Sequence, residues 1–264
     1  WWFDISGLSF PSTLPYDVRP TSTVVLGRRR VGVPLSHRGF DVPSLTVENY
    51  LKTIYLIAGR RPAGEAVSTG ELAQGLSVSP GTVTGMLKTL SEAGLATYTP
   101  YEGARLTPSG QRLALKVLRR HRLVELFLAQ TLDMPWDEVH EEAEHMEHAV
   151  SERLVDRIEA FLRFPQVDPH GDPIPRADGT FIEPEGKPLS TLPRSTGFRV
   201  VRVVDQDAAF LRYLTECGLS IGAEGDLTEN RPEAGALVLR IGDRTVALGH
   251  DAAGKVLVIP KIGL

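Results

Sequence analysis

Two short helices are predicted to begin close together, between residues 68 and 90. Ser68 and Glu71 fit a capping box, in which the serine hydroxyl accepts from a free backbone N–H and the glutamate reaches back. A second helix starts at Ser79, with Pro80 at the first helical position, where no backbone N–H is needed. Only residues 77–78 are left between the two helices. This spacing predicts a helix-turn-helix.

A β-hairpin is predicted directly after the second helix, with strands at 95–99 and 104–106 and a turn at 100–103. Such a hairpin forms the wing of a winged helix-turn-helix, which favours DNA binding over a role in protein packing alone. Small hydroxyl side chains at a helix N-terminus can approach base edges and phosphates. The predicted DNA-contacting residues are Ser79, Pro80, Thr82, Thr84, Lys88 and, on the wing, Arg105.

Histidines and carboxylates gather on two later helices. The first is predicted to begin after Thr107, and on it His121 and Glu125 are spaced i, i+4 and share a face. The second carries four such residues on one helical stripe, at positions 140, 144, 147 and 148. Two like-charged glutamates on one face repel each other unless a cation lies between them. The stripe therefore favours a divalent cation over a merely solvated face; its members are His140, Glu144, Glu147 and His148.

The donor types indicate which metal such a site would take. The chain has one cysteine, Cys217, far from the cluster in sequence, so the donors are carboxylate and imidazole. These ligands suit Mn²⁺ or Fe²⁺. A zinc hydrolase fits poorly, because the His-Glu-x-x-His pattern would need a histidine where Glu144 stands. A single cysteine also excludes an intrachain disulfide and favours a reducing compartment.

Composition and local patterns suggest the domain organisation. A net charge of -4 excludes a globally basic protein, and no stretch of about 18–20 apolar residues predicts a membrane helix. Residues 1–44 have no helical period and are predicted to be a flexible extension, or alternatively a basic arm for DNA. Residues 165–197 are dense in proline and glycine and are interpreted as a linker. Short β-like segments from residue 198 onward, interrupted by a helix at 207–217, predict a small barrel.

The chain from about residue 45 to residue 264 resembles the diphtheria-toxin-repressor family of metal-dependent transcriptional regulators. The motifs that carry the resemblance are the helix-turn-helix and residues 48–55, 106–110, 120–125, 144–148 and 169–175. The resemblance implies a mainly α fold with small β parts. Its expected parts are a winged helix-turn-helix (45–110), a helical metal-binding and dimerisation domain (111–164), the linker (165–197) and an SH3-like, FeoA-like β-barrel (198–264).

The resemblance also implies two metal sites. One corresponds to Asn49, Glu144, Glu147 and His148, and the other to His121, Glu125 and His140, with Gln206 or a neighbouring aspartate from the barrel. Glu144 stands where the iron-sensing branch has a cysteine, which favours Mn²⁺, with Fe²⁺ as the alternative. Lys52 stands where manganese sensors carry a second carboxylate, so two separated sites are expected instead of a binuclear one. Gly85 replaces a larger polar residue of the recognition helix.

The function that the resemblance implies is a repressor of metal-uptake genes. We expect a cytoplasmic homodimer that binds double-stranded operator DNA once a divalent metal is bound, and that is not an enzyme. The metal would tie the first helix, through Asn49, to the helices of the dimer core and so fix the separation of two recognition helices. Two alternatives are a metal-independent winged-helix regulator with a structural cation and a metallohydrolase.

Overall fold

The computed structural model describes residues 45–62, 64–183 and 185–261, all within one compact unit. The predicted extension at 1–44 lies outside the described residues. The helices of the described part are α1 (Leu45–Ala58), α2 (Thr69–Gly75), α3 (Pro80–Glu92), α4 (Pro108–Leu132), α5 (Val139–Met146), α6 (Glu152–Phe161), α7 (Ala208–Glu216) and α8 (His250–Gly254). The strands are β1 (Ala96–Thr99), β2 (Gly103–Leu106), β3 (Lys187–Pro188), β4 (Thr196–Val203), β5 (Glu224–Arg231), β6 (Ala236–Ile241), β7 (Arg244–Gly249) and β8 (Val256–Lys261).

The winged helix-turn-helix forms as predicted. Ser68 caps α2 in a reciprocal capping box with Glu71, and Ser79 caps α3 by accepting from the backbone N–H of Thr82. Strands β1 and β2 pair antiparallel as the wing, with Tyr101 fully exposed at its tip. The apolar faces of α1, α2 and α3 and the inner face of the wing share one hydrophobic core. The outer face of α3 is thereby left to solvent.

Helix α4 joins this domain to a helical one. Its N-cap Thr107 accepts from the N–H of Gly110, which lies against the wing. A Cβ on Gly110 would lie 1.9 Å from the carbonyl oxygen of Leu95, so only glycine allows this approach. Helix α5 ends at Met146, two residues before His148, the last residue that the sequence places on it, and Glu147 and His148 follow in a turn. Helices α4, α5 and α6 pack around a second hydrophobic core.

The C-terminal domain is a six-stranded antiparallel sheet in the order β3-β8-β4-β5-β6-β7 around a third core. Strand β5 was not predicted, because it is polar along its length and buries Leu227 alone. Helix α7 forms over the predicted range, with Asp207 as its N-cap. The mainly α architecture with a winged helix-turn-helix and a small β domain is thus confirmed.

The segment predicted as a linker packs against the rest of the chain at its N-terminal end. Asp168 is buried and accepts from the backbone N–H groups of His170 and Asp172, which ties residues 168–172 into a turn. Gly171 has φ of 84° and lies so close to β4 that a Cβ would be 2.0 Å from the carbonyl oxygen of Val201. This turn is therefore part of the folded structure. Within the described residues, no helix is both long and apolar enough to cross a bilayer.

Candidate metal centre

Helices α4 and α5 bring three of the predicted ligands together. His121 Nε2 lies 2.9 Å from Glu125 Oε1, and His140 Nδ1 lies 3.0 Å from the same oxygen. The two imidazoles are 3.1 Å apart at their nearest nitrogens. One ligand atom from each of the three side chains lies within 4.8 Å of the others, a spacing that a single metal ion can span. This geometry follows from the spacing of the residues along the sequence, because i, i+4 neighbours on α4 share one face of the helix and the stripe on α5 lies against that face.

The second ring nitrogen of His121 contacts another carboxylate. Nδ1 lies 2.7 Å from Oε2 of Glu147, which is fully buried. Burial lowers the pKa of His121, but Glu125 and Glu147 outweigh burial and raise the pKa to about 9. For Glu147 burial acts in the opposite direction and raises the pKa. The hydrogen bonds and charges of His121 and Lys52 outweigh burial, so the pKa of Glu147 is lowered. A proton on His121 and a charge on Glu147 therefore stabilise each other at neutral pH.

Helix α1 reaches the same cluster through two charged residues. The Lys52 ammonium lies 2.6 Å from Glu144 Oε1 and 2.7 Å from Glu147 Oε1. One turn earlier, Glu48 accepts from Arg120 at 2.7 Å and lies 2.7 Å from Nδ1 of His148. These contacts join the DNA-binding domain to the helical domain.

The first predicted site is brought together in part. His148 Nε2 lies 3.2 Å from Glu147 Oε1. Glu144 and Glu147 form a possible metal group with His121, their ligand atoms lying within 4.8 Å of one another. The side-chain oxygen of Asn49 is buried and has no hydrogen-bond partner within the described residues. A buried oxygen without a hydrogen-bond partner needs an explanation, and a bound cation would supply one.

A third group of possible metal ligands was not predicted from the sequence. Glu125, Asp168 and His170 place one ligand atom each within 4.8 Å of the others, and all three residues are buried. His170 Nε2 donates to the carbonyl oxygen of Trp136 at 2.8 Å, which leaves the lone pair on Nδ1. That Nδ1 atom and Glu125 Oε2 have no hydrogen-bond partner within the described residues. Burial, with the nearby charges of Glu125 and Asp172, raises the pKa of Asp168.

Gln206 lies beside this third group. Its amide nitrogen donates to Asp172 Oδ2 at 2.9 Å, and the structure shows no direct contact with His121, Glu125 or His140. The sequence signal for the third group was the run from Asp168 to Pro175, in which a histidine and two aspartates alternate with proline and glycine. Because it has no helical or strand period, composition alone suggested a linker.

The donor set fits a hard divalent cation. The acceptors that lack a hydrogen-bond partner are an amide oxygen, carboxylate oxygens and an imidazole nitrogen, all of them donor types that Mn²⁺ and Fe²⁺ accept. Cys217 is buried in the core of the C-terminal domain, so no thiolate takes part.

Most of the predicted DNA-contacting residues are exposed. Ser79, Pro80, Thr82 and Lys88 are exposed along α3. The next residue of that set, Thr84, is half-buried, and its hydroxyl donates to the carbonyl oxygen of Pro80. On the wing, Arg105 is exposed and its Nε donates to the carbonyl oxygen of Gly64 at 2.7 Å, which supports the loop before α2. The exposed tip residue Tyr101 was not predicted.

A winged helix-turn-helix joined to a buried carboxylate and imidazole centre defines a DNA-binding regulator that responds to metal. Comparison with known families agrees. Residues 44–104 match the iron dependent repressor N-terminal DNA binding domain, residues 107–176 its metal binding and dimerisation domain, and residues 187–260 the FeoA domain. The chain belongs to the diphtheria-toxin-repressor family of metal-dependent transcriptional repressors.

Individual relatives match over most of their length. The iron-dependent repressor IdeR of Mycobacterium tuberculosis is 32% identical over 225 residues, which cover 81% of this chain and 96% of that protein. The diphtheria toxin repressor of Corynebacterium glutamicum is 29% identical, covering 81% of this chain and 95% of the relative. Among solved structures, a manganese-dependent transcriptional repressor in complex with manganese is 40% identical with a TM-score of 0.73, covering 81% of this chain and 100% of that chain. Family members are repressors, so the metallohydrolase alternative is set aside.

Proposed function

We propose that this chain is a Mn²⁺-activated repressor that binds operator DNA as a homodimer in the cytoplasm. The observation that carries the proposal is the buried centre that α1, α4, α5 and the 168–172 turn build without a thiolate. Glu144, in place of a softer ligand, supports Mn²⁺ over Fe²⁺. Three separate hydrophobic cores support the division into domains at 45–110, 111–164 and 198–264.

The residues of the centre give this function a physical route. Bound metal supplies positive charge against three buried or half-buried carboxylates: Glu125, Glu144 and Glu147. Glu147 contacts side chains from α1 and α4 at once, so its position transmits order between the two domains. Asn49 on α1, whose buried side-chain oxygen has no hydrogen-bond partner within the described residues, would be a further donor. Ordering this junction favours one separation of the two recognition helices, and DNA binding follows by a population shift.

Operator binding with and without metal tests this proposal. Fluorescence anisotropy on DNA from upstream of the protein's own gene and of metal-uptake genes would compare Mn²⁺, anaerobic Fe²⁺, Zn²⁺ and a chelator. We expect Mn²⁺ to tighten binding by on the order of a hundredfold over chelator, within the usual range of allosteric coupling. Equal affinity after chelation would refute metal activation, and stronger activation by Fe²⁺ would refute the choice of metal.

Manganese affinity should fall as the pH is lowered. The pKa of His121 is raised to about 9, so this imidazole is protonated near neutral pH and its proton must leave before the nitrogen can ligate a metal. One displaced proton weakens apparent affinity by about tenfold per pH unit below that pKa. Mn²⁺ titrations followed by electron paramagnetic resonance at about pH 6.5, 7.5 and 8.5 would measure the slope. His145→Gln, an exposed change on α5, serves as control and should keep the same slope. Affinity independent of pH would contradict the prediction.

One observation favours a second candidate, a winged-helix regulator that does not need metal. Glu48 and Lys52 already link α1 to α4 and to the α5 end through ion pairs between protein side chains. The measurement of operator binding in chelator separates the two candidates, because a regulator that does not need metal binds its operator equally well with and without it.

A further inference from the structure

Lys52 has an unusual position for a lysine. It is 6% exposed, and its ammonium is held at 2.6 and 2.7 Å by oxygens of two glutamates. Both glutamates, Glu144 and Glu147, are among the predicted metal ligands. A buried ammonium of this kind is stable only because two carboxylates compensate its charge.

The lysine and a metal ion compete for the same oxygens. The Oε1 atoms of Glu144 and Glu147 that would bind a cation between them accept from Lys52 in the structure. A divalent metal ion binds its oxygen ligands directly, at about 2.0–2.6 Å for Mg²⁺ and Ca²⁺, so it and the ammonium cannot occupy the same position between these two carboxylates. The space for Lys52 to leave is present, since a cleft of about 680 Å³ opens beside its side chain and is lined also by Glu183 and Asp205.

We infer that Lys52 is an internal cation that occupies the metal position between Glu144 and Glu147, and that a divalent metal binds these two carboxylates only by displacing it. The inference rests on the proposed function and deepens it. In this position Lys52 has two effects on the protein. It holds α1 against the α5 end before metal arrives, and it raises the metal concentration at which this part of the centre fills. The group of Glu125, Asp168 and His170 has a different cationic neighbour, since the guanidinium of Arg122 lies 3.6 Å from Asp168 Oδ2.

Manganese binding to a Lys52→Met variant tests the inference. Methionine keeps the length and apolar stem of lysine and removes the charge. Electron paramagnetic resonance of Mn²⁺ on the full chain should show a Kd at least about tenfold lower for sites involving Glu144, or one additional ion bound per chain. Without metal the variant should melt at a lower temperature than wild type, because Glu144 and Glu147 then lose the ammonium that both of them contact. Lys116→Met, an exposed lysine change on α4, is the matched control and should bind Mn²⁺ as wild type does.

A second measurement uses the wild-type protein, so that it does not depend on how the variant folds. Lysine acetylation by an amine-reactive reagent, read by mass spectrometry, should modify Lys52 slowly in chelator and faster in Mn²⁺, with exposed Lys88 and Lys116 as internal references. Wild-type Mn²⁺ affinity and stoichiometry in Lys52→Met, or unchanged or slower labelling of Lys52 with Mn²⁺, would overturn the inference while leaving metal activation intact. Absence of Mn²⁺ binding to either protein would overturn both this inference and the proposed function.

Discussion

A Glu147→Gln variant is expected to lose metal-activated operator binding, with Mn²⁺-dependent affinity for DNA reduced by on the order of a hundredfold. Glu147 is fully buried, and its two oxygens contact Lys52 on α1 and His121 on α4. Glutamine keeps the size of glutamate but has no charge. Its amide nitrogen is a donor and would have to face either the Lys52 ammonium or the protonated His121 ring, so one of the two hydrogen bonds is lost. The variant removes a proposed metal ligand and also weakens one of the contacts between the two domains.

Operator affinity of this variant would be measured by anisotropy at saturating Mn²⁺ and again in chelator. Glu141→Gln is the matched control, because it makes the same chemical change at an exposed position of α5. Circular dichroism would establish that Glu147→Gln still folds, since leaving Lys52 and His121 without their shared partner is expected to cost stability. A Glu147→Gln protein that still responds to Mn²⁺ as wild type does would show that this residue is not part of the sensing centre.

Much of this centre follows from helical spacing alone. Spacing placed His121 and Glu125 on one face of a helix and His140 in a stripe of the next, and in the structure both histidines lie within 3.0 Å of Glu125 Oε1. Local periodicity carries this information, because a helix fixes which side chains share a face. Other local patterns predicted the wing, the capping box at Ser68 and the small β domain.

The parts that sequence reasoning missed depend on long-range packing. Lys52 meets Glu147 across 95 residues of chain, and nothing in either local pattern indicates the other. Asp168 and His170 lie in a turn with no period, so their burial depends on β4 and α4 packing over them. Strand β5 was missed for a related reason: Leu227 is its one apolar residue, so the strand shows no hydrophobic alternation. Burial imposed by a distant element leaves no local signal.

A Gly85→Glu variant is expected to abolish operator binding while leaving metal binding and the fold unchanged. Gly85 lies in the middle of α3 on the exposed face that carries Thr82 and Lys88, and a Cβ there would meet nothing within 4 Å. The new carboxylate therefore fits the protein but would face the DNA phosphates. Repulsion and blocked approach together should weaken binding by on the order of a hundredfold or more, with a strong dependence on salt.

Gly85→Ala is the control that makes this test specific. Alanine adds a methyl group to an open position and restricts the unfolded chain, so it should raise the free energy of unfolding by about 0.5–1 kcal/mol. Operator affinity of Gly85→Ala should stay within a few-fold of wild type, because it brings no charge. Anisotropy at two salt concentrations and Mn²⁺ titration of both variants would separate the effects. If Gly85→Glu bound the operator as well as Gly85→Ala, α3 could not be the helix that enters the major groove, and the DNA-binding face would have to lie elsewhere on the domain.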